Sequence, residues 1–310
     1  KRVIMLFRYA TYSFLVFLLG CAENSTEKLD DRGQVVVVCT TGMVADLAQR
    51  IGGDRVRVMG LMGPGVDPHY YKASQGDLAK LERADLILYN GLRLEGKMQD
   101  IFGKMARAKR IVAVADTIDK SDLLQPAELE GHYDPHIWFD VALWSKTVDS
   151  VVRALAEIDS EGAETYQRNG NAYREELAAL DAWVIKQVEQ IPSGQRVLIT
   201  AHDAFGYFGR AYGIEVMGLQ GISTVAEYGV NDVTGLVDFI SERKIRAIFV
   251  ESSVPERSIE AVRQGCLERG HTVSIGGTLY SDAMGGQGSG ADTYVGMVKS
   301  NVETVVGALR

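Results

Sequence analysis

From residue 34 onward the chain alternates short apolar runs with longer stretches whose apolar positions recur every three or four residues. Val35-Val36-Val37-Val38 is continuous and β-branched, the pattern of a strand covered on both faces. Val56-Arg57-Val58-Met59, Leu86-Ile87-Leu88 and Ile111-Val112-Ala113-Val114 repeat the signature, with helical segments such as Val44 to Ile51 between them. That alternation predicts βαβ units and therefore a parallel sheet with covering helices. A second series follows in Val197-Leu198-Ile199, Ile214 to Met217, Ala247-Ile248-Phe249-Val250 and Thr272 to Ile275. The expected fold class is α/β, with two lobes of roughly four parallel strands each.

Between the two series lies an uninterrupted helical stretch from Gly162 to Ile191. Tyr166, Tyr173, Leu177, Leu180, Val184, Val188 and Ile191 fall on one face, and Trp183 and Ile185 broaden it near the C-terminal end. At 1.5 Å per residue the stretch would reach about 45 Å. Its place between two strand series predicts a single backbone helix joining the lobes. The expected organisation is a leader over 1–20, a tether over 21–34, an N-terminal lobe over 35–160, the linking helix over 161–191 and a C-terminal lobe over 192–310.

The first twenty residues differ from the rest. Lys1, Arg2 and Arg8 form a basic start, and Tyr9 to Gly20 is an apolar run of 12 residues, short for a membrane span. It ends in Leu18-Leu19-Gly20-Cys21, which resembles a bacterial lipobox. There a peptidase cuts before the cysteine, whose thiol carries a diacylglyceryl group. A lipid-anchored chain facing the periplasm or cell exterior is the expectation; a plain signal peptide with an incidental cysteine is the alternative. Without residues 1–20 the chain holds 30 bases against 41 acids, a net −11. Such a body does not suit the phosphates of nucleic acid. Cys39 and Cys266 are expected as buried free thiols, and the absence of Cys-x-x-C argues against a thiolate zinc site.

Open α/β sheets bind ligands beyond the carboxyl ends of their strands. His69 follows the second strand in Asp67-Pro68-His69, and His136 lies beyond the fourth in Asp134-Pro135-His136. His202 follows the strand starting at Val197, and Asp282 follows the last strand. Two donors thus come from each lobe, all at one edge. Three imidazoles and a carboxylate suit a tetrahedral or distorted site for a borderline divalent cation. Asp67, Asp134 and Asp203, each near a histidine, are candidates to accept from the far ring nitrogen, and Glu251 is a further candidate. The plainer reading is that these histidines are surface or satisfied core residues and that Asp-Pro-His is turn chemistry. His132 reads as a solvated loop residue, and His271 precedes a strand, at the wrong edge. His-Glu-x-x-His, Walker and Gly-x-Ser-x-Gly motifs are absent from the sequence, so no catalytic residue is assigned. The run Gly285-Gly286-Gln287-Gly288-Ser289-Gly290 does not directly follow a strand and reads as a loop beside Asp282.

Several stretches together resemble the TroA-type metal receptors, the helical-backbone class of ABC-transporter solute-binding proteins. They are Gly60 to His69, Ala84 to Leu92, Asp134 to Asp140, Thr200 to Phe208, Glu251-Ser252-Ser253 and Ser281 to Gly285, in order along the chain. The resemblance implies two lobes, one linking helix and a metal between the lobes, held by His69, His136, His202 and Asp282. It also implies Zn2+ or Mn2+ as transported ligand and a permease in the cytoplasmic membrane as partner. The third donor is usually Glu in manganese receptors and His in zinc or mixed ones, while the His-rich loop of many dedicated zinc receptors is absent after His69. Rival readings are a metal-dependent hydrolase built on the same four residues and a surface adhesin. The chain is expected to act as a monomer, without nucleic acid.

Overall fold

The computed structural model describes residues 33–310. The expected leader, Cys21 and the expected tether up to residue 32 lie outside the described residues.

The first strand series forms β1 (Val35–Cys39), β2 (Val56–Gly60), β3 (Leu86–Tyr89) and β4 (Arg110–Ala113). They pair in parallel in the order β2-β1-β3-β4. Helices α1 (Gly42–Gly52), α2 (Gln75–Arg83) and α3 (Gln99–Met105) make the crossovers, and α4 (Val141–Ser145) and α5 (Val148–Ile158) follow the sheet. Local chemistry starts these helices where it should. Ser74 and Asp77 form a capping box on α2, and the Thr41 hydroxyl accepts from Val44 at the start of α1.

The linking helix α6 runs Ala163–Val188, so its 26 residues reach about 39 Å. It is shorter than its apolar pattern because Gln190 and Ile191 close tight turns onto Gln187 and Val188, and Pro192 then ends the helical path. The predicted stripe is buried from Tyr166 through Val188, and Ile191 is buried beyond the helix end. Ile185 corrects the expectation: it is 42% exposed and does not extend the buried stripe. The helix packs on α1, α4 and α5 of the first lobe and on α7 and α10 of the second.

That second lobe consists of β5 (Val197–His202), α7 (Gly206–Tyr212), β6 (Glu215–Gln220), α8 (Val230–Arg243), β7 (Ala247–Glu251), α9 (Arg257–Glu268), β8 (Ser274–Leu279) and α10 (Tyr294–Leu309). Its four strands pair as β5-β6 and β7-β8, with β5 beside β7. At the β5–β7 seam the His202 amide bonds a side chain, Glu251, instead of a strand carbonyl. Strand β8 starts later and ends later than its apolar run suggested. The strand passes through Gly276-Gly277 with a register shift against β7.

Both sheets obey the two-residue alternation of strands. One face of each joins a common core with α6, including Val37, Leu88, Leu177, Val184, Phe249 and Val302. The other face packs against the lobe's own helices, Val38 and Ile87 against the α2–α3 layer and Ile199 and Ile248 against the α8–α9 layer. The largest core therefore crosses from lobe to lobe through α6. Cys39 and Cys266 are buried free thiols. No helix among the described residues is long and apolar enough to cross a membrane.

Candidate metal centre

His69, His136, His202 and Asp282 converge where the carboxyl ends of the two sheets face each other. One donor atom from each lies within 4.8 Å of all the others, and all four residues are buried. His69 Nε2 and His136 Nε2 are 3.3 Å apart. Asp282 places Oδ1 3.3 Å from His136 Nε2, and Oδ2 3.3 Å from His202 Nε2 and 3.7 Å from His69 Nε2. Despite these approaches, His202 Nε2 and both Asp282 oxygens lack an aligned hydrogen-bond partner. They face a shared centre, not one another. Buried polar atoms left this way are costly unless something else satisfies them, and three nitrogens with one carboxylate are a fitting shell for a borderline divalent cation.

Each donor is aimed by its own local chemistry. In both Asp-Pro-His triplets the aspartate accepts the backbone N–H of the histidine two residues on, 2.8 Å at His69 and 2.9 Å at His136. Asp134 goes further and takes Nδ1 of His136 at 2.7 Å, which leaves Nε2 for the centre. His202 is the last residue of β5, and its Nδ1 meets Glu251 at 2.5 Å across the strand seam. Gly218 lets β6 run against this corner, since a Cβ there would stand 2.3 Å from the Asp203 amide nitrogen. Asp282 follows β8, where Asn301 holds both the amide and the carbonyl of Tyr280 at 2.8 Å. Trp138 donates its indole N–H to Ser281 at 3.0 Å.

Two expected ring partners are corrected. Asp67 does not reach the His69 ring; its second oxygen accepts the Thr224 hydroxyl of the other lobe at 2.7 Å. Asp203 does not reach the His202 ring either, because Glu251 already occupies Nδ1. Of the remaining histidines, His132 is exposed beside Arg93. His271 bonds the Ile245 carbonyl at 2.7 Å at the opposite sheet edge. Sequence reasoning overlooked Thr224, Trp138 and Tyr207, whose hydroxyl donates to the Asp134 carbonyl at 2.9 Å. All three act across the cleft from their own lobe, so no spacing within one segment points to them. Gly65, with φ +72, lets the loop before His69 approach the Ser252 carbonyl of the other lobe.

The electrostatics separate the three imidazoles. Burial draws His69 down to about 3, against the attraction of Asp282. His136 resists the same burial because the Asp134 and Asp282 carboxylates outweigh it, lifting the ring to about 9. At His202 burial is likewise overcome, by Glu251 and Asp282, and the ring lies well above its usual value. Asp282 is held well below the carboxylate range by the His202 and His136 rings, although burial opposes this. Burial and the nearby Asp134 push Asp203 up to about 6. The centre is thus a carboxylate ringed by imidazoles, of which His136 and His202 carry protons that a cation would displace.

Residues 37–308 match the family model described as zinc-uptake complex component A, periplasmic. The chain is 49% identical over 302 residues to the manganese-binding lipoprotein MntA of Bacillus subtilis (strain 168), covering 97% of each chain. It is 49% identical over 277 residues to the zinc-binding protein TroA of Treponema pallidum (strain Nichols), covering 89% of each. The solved periplasmic zinc binding protein TroA from that organism superimposes with a TM-score of 0.87, over 89% of this chain and 99% of that one.

Proposed function

The chain belongs to the zinc-uptake complex component A family of periplasmic proteins, and on that premise we propose that it captures zinc or manganese between its lobes and hands the ion to an ABC permease for import. It is a substrate-binding transport protein and not an enzyme, so the hydrolase and adhesin readings are set aside. Its relatives are named as metal-binding lipoproteins of such transporters, and it works outside the cytoplasm at a membrane anchor. The anchor is assigned to Cys21, the working unit to a single chain, and the ion's ligands to His69, His136, His202 and Asp282. What supports the ligand set above all is the convergence of four buried donors from both lobes, three of whose atoms have no hydrogen-bond partner.

Relatives of equal identity are named for manganese and for zinc, so the choice of ion must be argued from the donors. Nitrogen-rich sets favour the later first-row ions, and zinc is expected to bind more tightly than manganese. Replacing His202 by Glu adds a harder oxygen donor and should shift the affinity ratio toward manganese. Competition against a chelator, for both ions at one pH, tests the whole reading. Unaltered affinity in Asp282→Ala would refute the ligand set, and a wild type that prefers manganese would overturn the selectivity argument. Intact mass of membrane-extracted protein tests the anchor, which fails if the mature chain begins elsewhere than at an acylated Cys21.

A further inference from the structure

The N-terminal lobe carries a charge imbalance that the metal centre does not use. The chain from residue 21 onward has a net −11, yet residues 97–110 hold Lys97, Lys104, Arg107, Lys109 and Arg110 against the one acid Asp100, and of these bases Arg110 is paired with Glu157 at 2.7 Å. This segment is α3 with the turn into β4. Beside it, Leu78 of α2 and Ile101 and Met105 of α3 line an open apolar groove, rimmed by Lys104, Lys109 and Glu82. Leu78 is 36% exposed there. Lys104 and Arg107 are exposed and have no hydrogen-bond or ion-pair partner among the described residues. Basic side chains around exposed apolar ones are the chemistry of a surface that meets anionic headgroups above an acyl boundary.

Its position sharpens the point. Helices α2 and α3 end at the amino edge of the sheet, opposite the edge that carries His69 and His136. Lys109 donates to the Ala84 carbonyl at 2.8 Å, and the next residue, Asp85, accepts the Val36 amide at 2.8 Å. The basic turn is therefore two bonded steps from the start of β1, where the chain enters the fold. With a lipid on Cys21, the 14 residues of 21–34 set a limit of about 50 Å between this edge and the membrane. A tether of that reach raises the effective concentration of lipid surface to the millimolar range, so even weak docking is populated.

We propose that the α2–α3 face is a docking surface for anionic phospholipid headgroups, on which the tethered receptor rests with its metal cleft turned away from the membrane. The location rests on the lipid-anchor reading; the binding chemistry does not, and it can be read on the unlipidated body. Residues 33–310 serve for this, since they correspond to nearly the whole of the solved Treponema pallidum chain. This body should sediment with vesicles of phosphatidylglycerol and phosphatidylcholine, not with phosphatidylcholine alone, and salt should release it. Each base near an anionic surface contributes roughly fivefold in partitioning, so Lys104→Glu combined with Arg107→Glu should lower vesicle binding by about 25-fold or more. Zinc affinity of the same variant should equal that of the wild type, which shows that the lobe is folded. If that variant misfolds, Lys104→Gln with Arg107→Gln takes its place with the same expected direction. Absence of wild-type binding to anionic vesicles, or equal binding by the folded variant, overturns the proposal. A failure of metal binding in the wild type would instead strike the transport reading and leave the vesicle result standing.

Discussion

Each lobe buries one glutamate at the same station. Glu95 lies just beyond β3 and reaches back to the end of β1, where it accepts the Thr40 hydroxyl at 2.7 Å. Glu251 ends β7 and reaches the end of β5, where it accepts the His202 ring at 2.5 Å. Both also take backbone amides, Asn90 and Gly91 at Glu95 and His202 at Glu251. The crevice is the same in the two sheets, because the strand at its centre and the strand beside it occupy the same order. The partner differs. In the N-terminal lobe the carboxylate meets only neutral donors and serves the loop it closes, and burial raises its pKa. In the C-terminal lobe it meets an imidazole and thereby aims a donor at the metal centre. A buried carboxylate thus serves only the backbone around it until the chain places an imidazole against it.

The largest loss of affinity is expected at the carboxylate that the histidines of both lobes face. Asp282→Ala removes the carboxylate that three imidazoles face, and should lower zinc affinity by more than the roughly 10–100-fold typical of an outer partner. Chelator competition measures it. The next largest effect separates the two glutamates. Glu251→Gln should lower zinc affinity about 10–100-fold, while Glu95→Gln should leave it within a few-fold and lower unfolding stability by about 1–3 kcal/mol. Denaturant unfolding and metal titration of both variants decide this. An equal loss of affinity in the two would mean that the lobes use their glutamates alike.

Protons give a third, smaller handle. The metal-free ring of His136 is raised to about 9 and that of His202 lies well above its usual value. Metal binding should therefore release about two protons near neutral pH, and affinity should climb as pH rises. Calorimetry in buffers of different ionisation enthalpy counts them; a release of none would contradict the assigned charge states. For the metal-free protein the trend is reversed. A ring with a raised folded pKa stabilises fully below about 6.5 and loses that contribution as pH climbs to about 9. Thermal midpoints without metal should fall across that window. The smallest effects are expected outside the constellation. Asp203→Asn and His271→Ala should hold zinc affinity within a few-fold, whereas Asp134→Asn should not.

Much of this was legible in the chain itself. Continuous β-branched runs marked the strands, and strand ends with imidazole or carboxylate marked the four candidate donors that the fold brings together, because parallel sheets direct their carboxyl edges at ligands. The place of one long helical stretch between two strand series pointed to the linking helix, and its apolar stripe located the face it buries. What escaped was whatever depends on two segments meeting. Asp203 is adjacent to His202 in sequence, yet the ring partner comes from Glu251, 49 positions away across a strand seam. Asp67 stands two residues from His69, yet its free oxygen is taken by Thr224 of the other lobe. The apolar run Thr272 to Ile275 located β8 only in part, because the strand continues through Gly276-Gly277 by its pairing with β7.

Trp138 has a consequence for how this molecule can be watched. Its ring lies 5.2 Å from that of His136, and its indole N–H is held by Ser281, the residue before Asp282. One chromophore is therefore in contact with a donor loop from each lobe. Trp144 and Trp183 lie elsewhere, the first stacked on Tyr294 and the second along α6. The protein carries an intrinsic optical probe at the closure point, and its emission should report the arrival of an ion without any added label.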